Sequence, residues 1–241
     1  MPRLAQITNL TQRHNGFFTY PIYIKIMSHI EPYPKYSRPE RVADATVHGI
    51  GLVFSIIGTI LLVIWVKEQM STSQLIGVSV YGIALIGSFL ASSCYHFTPR
   101  EDRRHLLQRI DHAAIYLKIA GTYTPLVILI GSAFAYSVLA IVWVLAVVGA
   151  ITKLFFWGRQ GRWGTMFYVG LGWISVALTS QLLTVLPLPA VAFLVAGGLI
   201  YTAGAVVFSL DQIRFQNAIW HGFVLTASLC FFTAIAMGTL A

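Results

Sequence analysis

The chain has 241 residues, 57% of them hydrophobic and only 10% charged, with a mean hydropathy of +0.74. A soluble domain carries about 25% charged residues to cover its surface, so this composition excludes one and makes lipid the solvent. The net charge of +8 would suit nucleic acid in a soluble protein. Here the basic residues fall in short blocks between apolar runs, a pattern of membrane topology and anionic headgroups rather than of a nucleic-acid partner.

The first 39 residues contain no compact apolar run ahead of a small-residue cleavage site, so no signal peptide is read there. "NGFFTYPIYIKIMSHIEPYPKYSRPE" interleaves aromatics, Pro and Lys. Residues 1–39 are expected to form a cytoplasmic N-terminal segment, either interfacial or partly disordered, with residues 40–241 as a seven-helix transmembrane domain. Seven apolar segments follow, near 47–66, 74–95, 111–130, 133–156, 165–186, 188–209 and 217–240. Each has about the 20 residues a spanning helix needs. The connections are short, "KEQMSTSQ", "GSA", "WGRQGRWG" and "LPLP" among them. The expected fold is an all-α membrane protein, a bundle of seven transmembrane helices.

Charge sets the expected direction. Arg3, Arg13, Lys25, Lys35, Arg38 and Arg41 precede the first span. Arg100, Arg103, Arg104 and Arg109 lie in the second connection, Lys153, Arg159 and Arg162 around the fourth, and Arg214 in the sixth. The first connection has only Lys67, and the third and fifth have no basic residue. Basic residues stay inside, which predicts a cytoplasmic N-terminus and an external C-terminus.

With that direction, polar groups gather at one depth. The first span opens on Asp44 and His48, and the second closes on Ser92 and His96. The third opens on Asp111 and His112, and the seventh on Asn217 and His221. Five of the seven histidines (48, 96, 105, 112, 221) fall near this layer. Ser92 and His96 share a helix face, as do Asn217 and His221. A lone histidine at a helix end simply meets headgroups and water. Ser92, His96, Asp111 and His221 together predict one shared pocket, because ionisable groups within spans are costly and face the bundle interior.

Other residues read structurally. Lys118, two turns into the third span, either pairs with a carboxylate or snorkels to the interface. Gln181 suits an interhelical hydrogen bond, and Gly197, Gly198 and Gly204 suit close helix packing. Pro125 is expected to kink the third helix. Trp157 and Trp163 suit interfacial anchoring. Cys94 and Cys230 read as small buried hydrophobes.

Four stretches carry a family resemblance: "ERVADATVHGIG" (40–51), "SSCYH" (92–96), "RIDHAAIYLKIAGTYTP" (109–125) and "NAIWHGFVL" (217–225). In that order they resemble the hemolysin III branch of the progestin and adipoQ receptor family. The resemblance implies seven helices in a bacterial inner or plasma membrane and a zinc ion near the cytoplasmic side. It makes His96 and His221 metal ligands, Asp111 the residue that holds water at the metal, and Ser92 a nearby polar group. It also implies hydrolysis of lipid amides or esters, with a membrane lipid entering sideways between helices.

The chain departs from the pattern. Asn217 stands where the first histidine of a last-helix His-x-x-x-His would be. Phe231 stands where a later histidine is common, and Asp44 where the family has Asn. A neutral amide oxygen is a poor zinc donor, so either the site is weakened or His48, Asp44 or Asp111 completes it. The expected function is therefore a zinc-dependent lipid hydrolase. The alternative is a non-catalytic receptor or pore-forming protein with a degraded site. A proton-coupled transporter ranks last, because the outer half of the spans holds almost no titratable residue. Sequence leaves the oligomeric state open.

Overall fold

Hydrocarbon offers the backbone no hydrogen-bond partner, so each long apolar run must satisfy itself by coiling. A computed structural model describes residues 36–69, 71–156, 162–210 and 213–240. These form α1 (Arg38–Gln69), α2 (Thr72–Phe97), α3 (Glu101–Ile130), α4 (Ala133–Phe155), α5 (Arg162–Trp173), α6 (Thr179–Val185), α7 (Leu188–Phe208) and α8 (Gln216–Leu240). A 3-10 turn, Ile174–Leu178, joins α5 to α6, and the three pieces share one crossing. The described residues thus contain seven helical spans long and apolar enough to cross a membrane.

Caps place several ends. Ser37 donates from its main-chain N–H and its hydroxyl to Glu40 Oε2, at 2.8 and 2.6 Å. This is one side of a capping box. It starts α1 at Arg38, ahead of the expected residue 47, and brings Asp44 and His48 inside the helix. Ser71 and Gln74 form a full capping box on α2. Ser132 caps α4 and donates to Gln181 Oε1 at 2.6 Å, so Gln181 is the interhelical partner its position suggested. Helix α3 runs through Pro125 and ends on Gly131 at φ +70°, a left-handed cap that glycine adopts without penalty.

Helix α3 is central, packing against α2, α4, α5, α6 and α8, while α1 packs on α2 and α8, and α7 on α8. Leu62, Leu85, Ala120, Val127, Val142 and Ile235 are fully buried in this bundle. Ile50, Val53, Ile57, Ile60 and Ile64 of α1 face outward, the inverted surface of a protein solvated by acyl chains. Gly197 and Gly204 sit against α8: an added Cβ would lie 2.8 Å from the Phe231 ring and 2.6 Å from Phe223. Gly198 has only Trp173 at 4.0 Å and is not part of that seam. Cys94 is exposed on the bundle surface and Cys230 half-buried, so the reading of Cys94 as a core residue is corrected. Residues 1–35, Trp157 and the Trp163 side chain lie outside the described structure.

Candidate metal centre

Two helices build the same device. In α1, His48 lies one turn beyond Asp44, and its Nδ1–H donates to the Asp44 main-chain carbonyl at 2.8 Å. In α8, His221 lies one turn beyond Asn217 and donates from Nδ1 to the Asn217 carbonyl at 2.8 Å. A carbonyl can only accept, so each ring carries its hydrogen on Nδ1 and presents a lone pair at Nε2. Both lone pairs converge on one atom. Ser92 Oγ, in α2, lies 3.1 Å from His48 Nε2 and 3.2 Å from His221 Nε2.

His96 lies one turn beyond Ser92 and closes the group. Its ring centroid is 4.8 Å from that of His48 and 4.7 Å from that of His221. Asp44 backs all three rings. Its Oδ2 is 3.3 Å from His96 Nδ1, and its Oδ1 is 3.4 Å from His48 Nδ1 and 3.5 Å from His221 Nδ1. His48 is 1% exposed and His221 8%, so little water reaches the ligand atoms.

This donor set could hold a metal ion. One ligand atom from each of His48, His96 and His221 lies within 4.8 Å of the other two. Ser92 has a single hydroxyl hydrogen for two Nε2 lone pairs, so one buried acceptor is left without a donor. A cation satisfies every lone pair at once. Three imidazoles with a carboxylate behind the rings is a donor set that metal sites use, the carboxylate as outer support.

The predicted residues do not all meet. Ser92, His96 and His221 come together, and the buried Asp111 lies beside the Ser92 hydroxyl. The Asn217 amide does not join them: its Nδ2 donates to Tyr36 Oη at 2.9 Å, and Asn217 serves the site only through its main-chain oxygen. The third nitrogen comes from His48, which sequence named only among three substitutes. Its signal was the Asp44–His48 spacing, a copy of Asn217–His221. Tyr36 was missed altogether. Burial raises its phenol above the usual tyrosine value, so it stays protonated at the rim of the site. Lys118 does not snorkel. It is 7% exposed and donates from Nζ to Ser228 Oγ at 2.7 Å, with Nζ 4.8 Å from the Phe89 ring centroid.

Comparison with known proteins gives the family. The profile of the family described as Haemolysin-III related matches residues 37–232. Hemolysin-3 of Bacillus cereus is 36% identical over 197 residues, covering 81% of this chain and 90% of the relative. The Hemolysin-3 homolog of Bacillus subtilis is 32% identical over 197 residues, covering 81% and 92%. The human Monocyte to macrophage differentiation factor is 27% identical over 224 residues, covering 88% and 90%. The chain therefore belongs to the hemolysin III family, related to the progestin and adipoQ receptors, and is an integral protein of the bacterial plasma membrane.

Proposed function

We propose that the chain is a zinc-dependent membrane hydrolase of lipid amides or esters, with its site at the cytoplasmic end of the bundle. The observation that supports this most is the clustering of His48, His96 and His221 around Ser92, with Asp44 behind the rings and Asp111 beside Ser92. A zinc ion held by the three imidazoles would polarise a substrate carbonyl and bring the pKa of water toward about 7. The residues around it divide the remaining work. The Ser92 hydroxyl would donate to the substrate's carbonyl oxygen as negative charge develops there. Asp111, beside Ser92, accepts the proton of the attacking water and returns it to the leaving amine or alkoxide. The Asp44 carboxylate backs the rings and does not touch substrate, while the main-chain oxygens of Asp44 and Asn217 fix the His48 and His221 tautomers.

The test joins metal content to turnover. Purified protein is expected to carry close to one zinc per chain by elemental analysis and to hydrolyse a fluorescent N-acyl lipid in mixed micelles. His48→Ala, His96→Ala and His221→Ala each lose metal and activity. Asn217→Ala keeps both, because its side chain is not a ligand. Asp111→Asn keeps zinc and loses turnover by at least about 100-fold, the contribution typical of a positioned proton acceptor. Protein with no zinc, inert toward lipid amides and esters, would leave the three histidines as a structural tie among α1, α2 and α8.

A further inference from the structure

The polar end of the histidine cluster carries an ordered rim. Tyr95 precedes His96 on α2, and its ring meets the His96 ring edge-on, with centroids 4.7 Å apart. The Arg104 guanidinium, from the first turn of α3, lies over the Tyr95 ring at 5.3 Å from its centroid. Guanidinium, phenol and imidazole thus follow one another in a series that ends on a candidate ligand. Tyr36, ahead of α1, lies within electrostatic reach of both Tyr95 and Arg104. The edge that carries Tyr36 is fixed. Glu40 accepts from Ser37 through Oε2 and from the Phe215 main-chain N–H through Oε1, the latter at 3.3 Å. Phe215 does so at φ +62°, a backbone conformation that a bulky side chain holds only where its surroundings enforce it.

Arg104 differs from the other arginines of its connection. Arg100 and Arg103 are exposed, and Arg103 Nε is 4.0 Å from Asp102. Arg109 donates to Leu154 O at 3.2 Å. Arg104 is half-buried, and its charge acts on His96 as well as on Tyr36. Membrane topology accounts for an exposed arginine in a connection. It does not account for one laid on an aromatic ring beside the cluster. A guanidinium stacked in this way is held in one plane, and its N–H groups then match two oxygens of a phosphate at little further cost in entropy. The surrounding Arg100 and Arg103 add a field that draws anions to the same end. Lipid phosphates lie at this depth, only a few bonds from the amide or ester carbonyl of their own molecule.

Resting on the hydrolase reading, we propose that Arg104, held by Tyr95, selects substrates whose head group carries a phosphate. The phosphate oxygens accept from the Arg104 guanidinium while the carbonyl to be cleaved sits at the histidines, and Tyr36 bounds the space between. The reaction is the same hydrolysis. The oxygen of water joins the acyl carbon, the acyl–nitrogen or acyl–oxygen bond breaks, and the leaving amine or alkoxide takes the proton. A neutral lipid of equal chain length lacks only the contact with Arg104.

Matched lipids isolate that contact. N-palmitoyl ethanolamine and its phosphate monoester share one acyl chain and one amide, and both can be presented to the full-length protein in phosphate-free maltoside micelles. The radiolabelled monoester is expected to bind about tenfold more tightly than the alcohol, and to be hydrolysed with kcat/KM higher by about the same factor, as one hydrogen bond to a charged group supplies. Arg104→Gln should erase the preference, Arg104→Lys should restore part of it, and Arg103→Gln should leave it intact. Tyr95→Leu removes the ring beneath the guanidinium and keeps the charge. It should reduce the preference, and it covers the case in which Arg104→Gln does not fold. Inorganic phosphate should compete poorly with the monoester. Competition at equal concentration would make the rim a site for free phosphate and overturn the lipid assignment. Binding is read without turnover, so a protein that prefers the monoester but hydrolyses neither lipid keeps the phosphate site and loses the hydrolase. Equal affinity and equal turnover of the two lipids by the unsubstituted protein, or an undiminished preference in Arg104→Gln, overturns the proposal and leaves the hydrolase standing.

Discussion

Asp44 is the residue on which the geometry of the centre turns. It offers its main-chain oxygen to His48 and its carboxylate to all three rings, at 3.3 to 3.5 Å. Those distances place the carboxylate behind the rings, with Oδ1 buried and accepting no hydrogen bond among the described residues. An outer carboxylate of this kind raises ligand basicity and locks ring orientation, and its loss typically costs 10- to 100-fold in metal affinity. Asp44→Asn is therefore expected to weaken zinc binding by about that factor in a chelator competition, with the fold intact. Affinity within about twofold of the unsubstituted protein would show that the carboxylate is not a metal support. Ser92, His96, Asp111 and His221 were readable as site residues because each stands where an apolar run opens or closes. His48 was harder to assign for the reason that Asp44 was. The apolar run begins near residue 47, so both looked terminal. The Ser37–Glu40 cap extends α1 backwards, and that turns the pair inward together. Asn217 shows the converse. Its spacing to His221 is right for a ligand, yet Tyr36, from outside the spans, takes its amide, and no periodicity encodes that contact.

At the scale of elements, the fifth crossing is the least regular. "ISVAL" contains neither Pro nor Gly, so nothing local announces a 3-10 turn there. Two hydroxyls meet the carbonyls ahead of it: Ser175 donates from within the turn to Gly172 O at 3.0 Å, and the second comes from another helix. Tyr123 of α3 donates its phenol hydrogen toward Leu171 O at 3.0 Å and Gly172 O at 2.6 Å. These are carbonyls at the end of α5, and a side chain inserted into the helical ladder is a standard origin of such a break. Sequence gives the length and apolarity of the crossing, but a long-range hydroxyl shares in deciding its regularity. The consequence is measurable. Interhelical hydrogen bonds in membranes contribute about 0.6 kcal/mol on average and up to about 1.7. Tyr123→Phe should lower stability within that range, near its upper end because two carbonyls lose one shared donor. Thermal unfolding in detergent is expected to shift down by about 2–6 °C for a chain of this size, with zinc content unchanged. An unaltered transition would mean that the 3-10 turn arises without Tyr123.

The whole molecule is asymmetric along its spans. The histidine centre occupies the end where α1, α3 and α8 begin and α2 finishes, and Arg100, Arg103, Arg104 and Arg109 cluster at that same end. The opposite ends carry Lys67 alone, in the last turn of α1, and the connections at residues 131–132 and 186–187 have no basic residue. Basic connections remain on the cytoplasmic side, so the centre should face the cell interior, with substrate and product exchanging through the inner leaflet. The bundle itself is equally stable either way up, and sidedness is decided by insertion, through the charges, rather than by packing. Single cysteines report it directly. In a background carrying Cys94→Ser and Cys230→Ala, Thr72→Cys at the start of α2 should react with a membrane-impermeant maleimide in intact cells, and Arg103→Cys should not. Inside-out vesicles should reverse the pattern. Labelling of Arg103→Cys from outside would place the three imidazoles on the outer leaflet. The centre would then meet outer-leaflet lipids, and the cytoplasmic part of the hydrolase reading would fall while the metal site itself stood.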